Sequence, residues 1–448
     1  MKKMRVLTAL ICVAALLCGL LAGCNKETQP TGNNGNNGTN GTNGTNGTNA
    51  SVSVDVEAKI AAEPKKVSIL VPGFDGSDPD SVYSRAIKRF EEKYNKEVEI
   101  LQAVGEQLWN EKVAAQIAAN DPVDVFYISV DQYLGMYLKG YLLPVDEYVN
   151  LDHPLNNKEV MDDYVKFDGK YYAAGVTSTP YVLFYNKDIL ENNGFDPDEP
   201  AKLYEQGEWT WDAFLEIAQE CTDLDNNVVG LQNMFDEVLQ ASNGCAAVEY
   251  KDGQYNLNIY TTHMRNTLEF CQEIFFEENV CGAGYVTGQN RFLKGNAAMH
   301  GAYAYEMAVF NQLKEKGTVK INYGVTAFPV GPDNADGVNF GHSTGFAISN
   351  GSDAPYSAGA LIGMIMDEFL IENEKDNAYV SAEDQALFNE LAKNIFVPSY
   401  TDGILEKGFG AFYLLWDVRN GGDINQTLAQ YETVYKKMID DANIMLTG

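Results

Sequence analysis

The sequence predicts an α/β protein made of two lobes. Strand-like apolar runs alternate with amphipathic helical patterns over residues 67–139, which is typical of βαβ units and a parallel sheet. Strand-like runs return at 323–330 and 346–348, and residues 355–448 are mainly helical. A chain that leaves a sheet and returns to it in this way is expected to cross between two lobes several times.

The first strand and helix are the clearest elements of this alternation. Residues 67–71 form a short apolar run that ends at Pro72-Gly73, which predicts a strand followed by a turn. Apolar residues then recur four apart, which places them on one face of a helix. They are Val82, Ala86, Phe90 and Tyr94. The next predicted elements are a strand at 98–101, a helix at 108–119, a strand at 123–128 and a helix at 132–139.

Two loops follow predicted carboxyl ends of strands, where ligands bind in open parallel sheets. The loop at 73–76 (Gly-Phe-Asp-Gly) follows the first strand, and the loop at 129–132 (Ser-Val-Asp-Gln) follows the third. We therefore predict that Asp75 and Asp131 contact a ligand. A turn or capping role is the alternative for each carboxylate.

The pattern changes after residue 169. Long strands are predicted at 170–174 and 181–185, and Thr210 is a suitable N-cap for the helix that follows it. Helices are expected to dominate 261–316. The helical stretches in this half of the chain belong to the predicted second lobe.

The N-terminus has the pattern of a secretory signal peptide. Basic residues precede an apolar run at 6–20, and Leu-Ala-Gly at 21–23 precedes Cys24. The Leu-Ala-Gly-Cys ending resembles a bacterial lipobox, in which Cys24 receives a diacylglycerol thioether. A transmembrane anchor is the alternative, but this run of about 15 residues is shorter than the roughly 20 that a spanning helix needs. We predict a signal peptide at 1–23 and lipid anchoring through Cys24 on the extracytoplasmic face of the cell membrane.

Residues 24–63 are predicted to form a disordered tether. The stretch 25–50 is rich in Asn, Gly and Thr, and it has too few apolar side chains to offset the entropy of ordering. A flexible segment of this length has an r.m.s. reach of about 35 Å. Its Asn-Gly-Thr triplets also match the N-glycosylation acceptor pattern. Behind a lipobox, we interpret them first as a spacer.

The composition excludes some partners. The chain has 32 basic and 63 acidic residues, which gives a formal net charge of −31 at pH 7. Nucleic-acid affinity depends on Lys and Arg that neutralise phosphates, so nucleic acid is not an expected partner. The same charge disfavours docking on anionic lipid. The length leaves room for two domains with full cores after the leader and the tether.

No metal and no cofactor are predicted. The histidines and cysteines lack metal-ligand spacings, and 223–234 lacks the Gly and Glu that a calcium loop needs at its sixth and twelfth positions. Export permits disulfides, but the sequence cannot rank the three pairings of the remaining cysteines. These are Cys221, Cys245, Cys271 and Cys281. Cys271 lies in an apolar helical pattern, where a buried free thiol is the alternative.

Eight short motifs occur in one order along residues 65–448. They are AIKRFEEKY at 86–94, DPVDVF at 121–126, GYLLPVD at 140–146, GKYY at 169–172, YNKD at 185–188, WTWD at 209–212, FLKGNAAM at 292–299 and YGVTAFP at 323–329. Behind a lipobox, this ordered set resembles the bacterial extracellular solute-binding protein family 1. That family comprises the sugar-binding lipoproteins of ABC importers.

The resemblance implies a two-lobe periplasmic-binding-protein-like α/β fold, with a hinge and a ligand cleft between the lobes. It implies that lobe 1 comprises 64–178 and 328–375, and that lobe 2 comprises 179–327 and 376–448. It further implies capture of a carbohydrate, with an oligosaccharide favoured, and its delivery to a membrane permease. The ATPase must be a separate chain, because no P-loop motif occurs here.

A sugar site needs aromatic rings that stack on ring faces and polar side chains that bind hydroxyl groups. The candidates in lobe 1 are Phe74, Asp75, Trp109, Tyr127 and Asp131. The candidates in lobe 2, placed by the resemblance, are Met234, Phe235, Tyr303, Tyr305 and Trp416. His342, which precedes the predicted strand at Phe346, is a further candidate. Helix packing is the alternative for Trp109 and Trp416, and Trp211 is interpreted as a core residue.

Two other functions remain open from the sequence. A glycan-active enzyme such as a glycoside hydrolase needs two carboxylates about 5 Å or roughly 6.5–9.5 Å apart, and an acidic chain offers chance pairs easily. A surface glycan- or peptide-binding lipoprotein without a permease is the other alternative. We predict that the chain is not an enzyme, because its ordered motifs resemble those of binding proteins.

Overall fold

The computed structural model describes residues 49–103, 109–232, 234, 236–281, 290–404 and 410–447. The predicted signal peptide, Cys24, most of the tether and Phe235 therefore lie outside the described residues. Within the described ranges, no helix combines the length and the apolar character needed to cross a bilayer. The same ranges contain no group of three His, Cys, Asp or Glu side chains arranged to hold a metal ion.

Helices and strands alternate through the chain, and its C-terminal part is helical. The strands are β1 (Lys66–Leu70), β2 (Glu97–Leu101), β3 (Val125–Ser129), β4 (Leu142–Leu143), β5 (Lys166–Phe167), β6 (Lys170–Tyr171), β7 (Ala174–Asn186), β8 (Val229–Gln232), β9 (Val248–Lys251), β10 (Gln254–Leu257), β11 (Ala297–Tyr303), β12 (Tyr323–Ala327), β13 (Asn339–Ser349) and β14 (Ile395–Phe396).

The α-helices are α1 (Asn49–Ala62), α2 (Val82–Tyr94), α3 (Trp109–Ala118), α4 (Val130–Leu138), α5 (Lys158–Tyr164), α6 (Lys187–Asn192), α7 (Glu199–Gln206), α8 (Trp211–Glu220), α9 (Asp236–Ser242), α10 (Thr262–Gln272), α11 (Asn290–Leu293), α12 (Glu306–Glu315), α13 (Pro355–Asn377), α14 (Ala382–Leu391), α15 (Ala411–Arg419) and α16 (Ile424–Thr447). A π-helical turn, Glu273–Glu277, follows α10, and a 3₁₀ segment, Pro398–Ile404, precedes α15. The presence of both helices and strands along the chain confirms the predicted α/β class.

The chain divides into two compact units. Unit 1 comprises residues 1–127 and 348–368, and unit 2 comprises residues 128–347 and 369–448. The predicted lobes differ from these units, because the prediction places 128–178, 328–347 and 369–375 in lobe 1. The physical reason is that β7 and β13 pair over a long antiparallel stretch, from Gly341 opposite Pro180 to Phe346 opposite Ala174.

Unit 1 contains the predicted parallel βαβ arrangement. β1 pairs in parallel with β2 on one side and with β3 on the other. The buried face of α2 is formed by Ala86, Ile87 and Phe90, as the four-residue spacing predicted. Ser81 caps this helix by accepting a hydrogen bond from the backbone N–H of Ser84. The alternation of strands and helices predicted over residues 67–139 is therefore confirmed.

The tether prediction is wrong at its C-terminal end. Residues 49–62 form α1, and Ile60 in its last turn is buried at 1% exposure. The Glu63 carboxylate then accepts hydrogen bonds from the backbone N–H groups of Tyr356 and Ser357, at 2.8 Å each. Burial of one side chain and capping of the first turn of α13 order a segment whose composition suggested a coil.

The sheet of unit 2 is centred on β7. The first half of β7 pairs with β13, and its second half lies between β11 and β12, antiparallel to both. β8 extends the sheet in parallel beyond β11. A strand that has neighbours on both edges and is buried on both faces has apolar residues at successive positions. This explains why residues 181–185 are nearly all apolar.

The prediction of mainly helical structure over 261–316 is incomplete. β11 interrupts this stretch, and each of its residues is buried. Its small side chains allow close packing between β7 and β8, and the strand pairings override its weak local β-propensity. The helical prediction for 355–448 is confirmed by α13–α16.

Trp211 lies in the core, as predicted. Its ring stacks on Phe270 with centroids 4.2 Å apart, and its Nε1–H donates to Ser242 Oγ at 3.1 Å. Thr210 is the N-cap of α8 and accepts a hydrogen bond from the backbone N–H of Ala213. The local sequence therefore predicts both where α8 begins and that Trp211 lies on its buried face.

The four described cysteines are free thiols, and all of them are buried. Burial raises the pKa of each thiol, to about 12 for Cys221 and Cys245. A buried thiol with a raised pKa is a poor nucleophile and a poor redox partner. The alternative that the sequence left open for Cys271, a buried free thiol, is the state in the structure.

Candidate functional site

The structure distributes the candidate residues over both units. Phe74, Asp75 and Tyr127 belong to unit 1, and so does Trp109, whose backbone begins α3 and whose side chain lies outside the described residues. The remaining described candidates belong to unit 2. They are Asp131, Met234, Tyr303, Tyr305, His342 and Trp416.

The loop after β1 holds an aromatic ring and a carboxylate in different environments. Phe74 is buried at 9% exposure and packs against Tyr83, with ring centroids 5.1 Å apart. Asp75 is exposed and accepts a hydrogen bond from the backbone N–H of Ser77 at 2.8 Å. Hydrogen bonds from Ser77 lower the pKa of Asp75. The turn role is therefore present, and ligand contact by Phe74 or Asp75 stays a prediction.

Tyr127 and Asp131 lie at the carboxyl end of β3 and just beyond it. Tyr127 is partly buried within the strand, and Asp131 lies in the first turn of α4. Ser129 Oγ donates to Asp131 Oδ1 at 2.5 Å, and the Gln132 side chain accepts from the Ser129 backbone N–H. This local network fixes the carboxylate of Asp131 at a helix N-terminus, where negative charge is favoured.

Two tyrosines at the end of β11 form a stacked pair. The rings of Tyr303 and Tyr305 are inclined by 16°, with centroids 5.9 Å apart. Tyr303 is buried at 8% exposure and meets Tyr181 edge-on at 5.3 Å. Tyr305 is 43% exposed. Of this pair, Tyr305 is therefore the ring with area available for stacking, whereas the sequence favoured Tyr303.

His342 connects this pair to the acidic part of the site. It lies on β13 opposite Thr179, and its ring centroid is 6.2 Å from that of Tyr303. Burial lowers the pKa of His342, and the nearby negative charge of Asp131 opposes this effect only in part. The imidazole is therefore neutral at physiological pH and can both donate and accept a hydrogen bond.

The N-terminus of α9 adds two carboxylates that the sequence reasoning missed. Burial raises the pKa of Asp236 to about 6, although the charge of Arg419 acts in the opposite direction. Burial also raises the pKa of Glu237 to about 7, and the negative charges of Asp236 and Asp131 add to this increase. Glu237 is thus close enough to Asp131 to be affected by its charge. Met234, just before this helix, is buried at 5% exposure.

Trp416 is an exposed aromatic ring with a fixed neighbour. It lies on α15 and is 37% exposed. The guanidinium carbon of Arg419 lies 4.7 Å from the Trp416 ring centroid, and Arg419 Nη1 donates to Asp236 Oδ1 at 2.6 Å. Arg419 was also missed, although its position three residues after Trp416 on a predicted helix places the two side chains on one face.

Two groups of contacts join candidates of unit 2. Tyr305 stacks on Tyr303, whose ring lies near that of His342. Arg419 joins Trp416 to Asp236, and the charge of Asp131 acts on His342 and on Glu237. The candidates therefore include two exposed aromatic rings together with carboxylates and a neutral imidazole. Aromatic faces bind apolar ring surfaces, and the polar groups accept or donate hydrogen bonds.

The family model for bacterial extracellular solute-binding proteins matches residues 74–386, well over half of the chain. The chain belongs to this family. The matched residues include candidates from both units, among them Asp75, Asp131 and Tyr305. The family is extracellular, so the predicted extracytoplasmic location is confirmed at this level, and its members bind solutes.

Solved structures show the same fold as this solute-binding protein. An ABC substrate-binding protein from Listeria monocytogenes, solved in complex with cycloalternan, has 18% identity and a TM-score of 0.62, with 83% of this chain and 98% of that chain covered. An extracellular solute-binding protein from Staphylococcus aureus, in complex with maltose, has 15% identity and a TM-score of 0.61, with 84% and 98% covered.

A third similar structure holds a different kind of ligand. UgpB from Mycobacterium tuberculosis, in complex with glycerophosphocholine, has 15% identity and a TM-score of 0.63, with 85% of this chain and 99% of that chain covered. At this level of identity the likeness establishes the fold, and the predicted periplasmic-binding-protein-like α/β fold is confirmed.

Proposed function

We propose that this protein is the carbohydrate-binding component of an ABC importer, anchored by lipid to the outer face of the cell membrane. The observation that carries the proposal is the pairing of exposed aromatic rings with polar groups in unit 2. Tyr305 and Trp416 present ring area, and Asp131 and Glu237 present carboxylates. A sugar has an apolar ring face and a hydroxyl rim, and this combination matches both.

The similar structures support a sugar over other solutes. The Listeria and Staphylococcus proteins were solved with cycloalternan and maltose, which are both glucose-based oligosaccharides. The glycerophosphocholine of the Mycobacterium protein carries a phosphate and a quaternary ammonium group. The carboxylate of Asp131 disfavours a phosphate by like-charge repulsion. We therefore favour an oligosaccharide.

Membership of the family supports delivery to a permease, and the lack of a P-loop motif in the sequence supports an ATPase on a separate chain. The lipobox ending at Cys24 and the Asn/Gly/Thr-rich stretch after it support anchoring beside such a permease. The unit 1 candidates, Phe74, Asp75, Trp109 and Tyr127, are included in the proposal as ligand contacts. The unit 2 candidates are included in the same way, and they are Asp131, Met234, Phe235, Tyr303, Tyr305, His342 and Trp416.

The direct test is a thermal-shift screen of the mature protein. The probes are maltose, maltotetraose, cycloalternan, acarbose and glycerophosphocholine. A sugar present at 100 times its Kd is expected to stabilise the protein by about 2.7 kcal/mol. Stabilisation by glycerophosphocholine alone, or by none of the probes, would contradict the proposal.

Variants then test the placement of the site. Trp416→Ala and Tyr305→Ala should each weaken binding of the confirmed sugar by roughly 1–3 kcal/mol, which is about 5- to 150-fold. Tyr260→Ala is the matched control, because Tyr260 is also exposed, at 57%, and bonds to Glu432. Calorimetric titration compares the three variants. Parent-like affinity in both site variants would show that the ligand binds elsewhere.

One observation favours the enzyme alternative. Burial raises the pKa of Glu237 to about 7, with smaller contributions from the charges of Asp236 and Asp131, and a glycosidase raises the pKa of its general acid in a similar way. Incubation of the protein with each bound oligosaccharide, followed by chromatography of the sugars, separates the functions. A binding protein returns the sugar intact, and cleavage that is lost in Glu237→Gln would establish a glycoside hydrolase.

A further inference from the structure

A buried arginine lies against the exposed tryptophan of the site. The guanidinium carbon of Arg419 is 4.7 Å from the centroid of the Trp416 ring and 4.2 Å from that of Phe275. Both distances are within the range of a cation–π interaction, and a planar guanidinium stacks on ring faces more readily than an ammonium group does. Arg419 therefore holds two aromatic rings that come from different elements.

The arginine is itself fixed by a buried carboxylate. Arg419 Nη1 donates to Asp236 Oδ1 at 2.6 Å, and the exposed side-chain fractions are 7% for Arg419 and 0% for Asp236. The second carboxylate oxygen of Asp236 has no hydrogen-bond partner within the described residues. Asp236 thus depends on Arg419 for its charge compensation, and Arg419 has little freedom to move away.

Stability alone is a weak reason for such a pair. Removing two charges from water costs several kcal/mol per ion, and well-packed apolar residues often stabilise a core as much as a buried ion pair does. Phe275 also lies in the π-helical turn Glu273–Glu277, and π-helical turns occur frequently at functional sites. The costly pair and the irregular helix both lie beside the exposed ring of Trp416.

We infer that Asp236 and Arg419 are positioning residues that fix the orientation of the Trp416 ring for ligand stacking. The inference rests on the proposed function, since Trp416 is one of its ligand contacts. Asp236 fixes the guanidinium, the guanidinium supports the indole, and the exposed part of the indole faces solvent in one orientation. A preorganised ring loses less rotamer entropy when a ligand binds, so the arrangement increases affinity without contacting the ligand.

A purely structural role makes a different prediction. If the pair only holds α9 against α15, replacing it lowers thermal stability but leaves the Trp416 ring and the affinity of the folded protein unchanged. If the pair positions the ring, the mobility of Trp416 increases in every folded variant that lacks the planar guanidinium. The motion of the indole therefore distinguishes the two roles.

The test uses ¹⁹F NMR of the protein labelled with 5-fluorotryptophan, with the Trp416 signal assigned from Trp416→Phe. Arg419→Lys keeps the positive charge for Asp236 but removes the planar group. The double variant Asp236→Leu/Arg419→Met removes both charges, which avoids an unpaired buried ion if the single variant does not fold. We expect the Trp416 signal to shift and to sharpen in both. A parent-like signal in a folded variant would overturn the inference.

Affinity provides the second readout. Arg419→Lys should weaken binding of a sugar that the parent binds by roughly 3- to 10-fold. Arg265→Lys is the matched control, because Arg265 is an exposed arginine that bonds to Asn425 and Glu269. If the parent binds none of the sugars, the proposed function fails, and the ¹⁹F signal still decides whether Arg419 positions the ring. Unchanged affinity in Arg419→Lys with a mobile ring would also contradict the inference.

Discussion

Two adjacent acids at the start of α9 have raised pKa values for partly different reasons. Asp236 is fully buried, and desolvation outweighs the favourable charge of Arg419, so its pKa is about 6. Glu237 is partly buried, and desolvation acts together with the like charges of Asp236 and Asp131, so its pKa is about 7. Each acid binds its proton more tightly in the folded protein than in the unfolded chain.

The raised pKa of Glu237 predicts that its contribution to the stability of the folded protein falls as the pH rises. The contribution of Glu237 is fully present below the unfolded pKa of 4.5 and is lost as the pH rises through about 7. Glu237→Gln should therefore raise the free energy of unfolding by about 1–3 kcal/mol at pH 8, and by much less at pH 5. Urea denaturation at both pH values measures the effect.

The matched control for this prediction is Glu374→Gln, since Glu374 is exposed on α13. The control should shift the free energy of unfolding little at either pH. A Glu237→Gln protein that is destabilised equally at pH 5 and pH 8 would show that the carboxylate is ionised in the folded state and forms a stabilising contact.

Two tryptophans of unit 2 illustrate opposite roles. Trp211 is 4% exposed and stacks on Phe270, whereas Trp416 is 37% exposed. Trp211→Ala should lower the free energy of unfolding by about 3–5 kcal/mol and leave the sugar affinity of the folded fraction unchanged. Trp211→Phe keeps an aromatic ring at this position and loses the bond to Ser242 and part of the buried ring area. This smaller change is the variant to use if the alanine variant does not fold. Weaker binding by folded Trp211→Phe would place this ring in the site.

Close packing between α8 and β8 depends on a glycine. A Cβ atom at Gly230 would lie 2.3 Å from the backbone oxygen of Ala218 on α8, and a backbone atom cannot rotate away as a side chain can. We expect Gly230→Ala to reduce the free energy of unfolding by about 1–3 kcal/mol, because the helix and the strand must separate. Differential scanning calorimetry of the parent and the variant measures the loss.

Gly363 is the matched control for this substitution. It lies within α13, and a Cβ atom there would have no neighbour within 4 Å. Gly363→Ala should stabilise the protein by about 0.5–1 kcal/mol through helix propensity. If Gly230→Ala also proved neutral or stabilising, the packing of α8 on β8 would be looser than the structure indicates.

At the scale of the whole molecule, we propose that the N-terminal segment determines where the protein is located. The sequence from Lys2 to Cys24 has the charge, apolar run and small residues of a lipoprotein leader. We expect Cys24→Ala to release mature-sized protein from the membrane fraction, because a spacer of Asn, Gly and Thr gives no other attachment. Cell fractionation followed by immunoblotting measures this release. Retention of the variant on membranes would contradict lipid anchoring.

Reducing agent should leave the thermal stability unchanged. The cysteines Cys221, Cys245, Cys271 and Cys281 are free thiols in the structure, and the sequence had left their pairing open. A thermal melt with and without dithiothreitol is the measurement. A melting temperature that falls in the reductant would show that two of these cysteines pair in the exported protein.

Local patterns were sufficient for the α/β class, the βαβ alternation of unit 1, the N-cap at Thr210 and the burial of Trp211. Each of these depends on spacing or on neighbours within one or two helical turns, and such information lies in consecutive residues. The ordered motifs were sufficient to predict the family, because each motif is also a run of consecutive residues. The sequence also identified Trp416 and Asp131 as candidates, which are residues of suitable chemistry at suitable positions.

Long-range contacts decided the remaining features. α1 is ordered by the burial of Ile60, and β11 is a strand because β7 and β8 pair with it, although its own residues do not favour that state. The exposure of Tyr305 rather than Tyr303 depends on which ring meets Tyr181. The Asp236–Arg419 pair joins residues 183 positions apart, and its partners come together only when α9 and α15 pack. Burial and charge compensation depend on residues that are distant in the sequence and meet only in the folded structure. Local sequence patterns therefore cannot predict them.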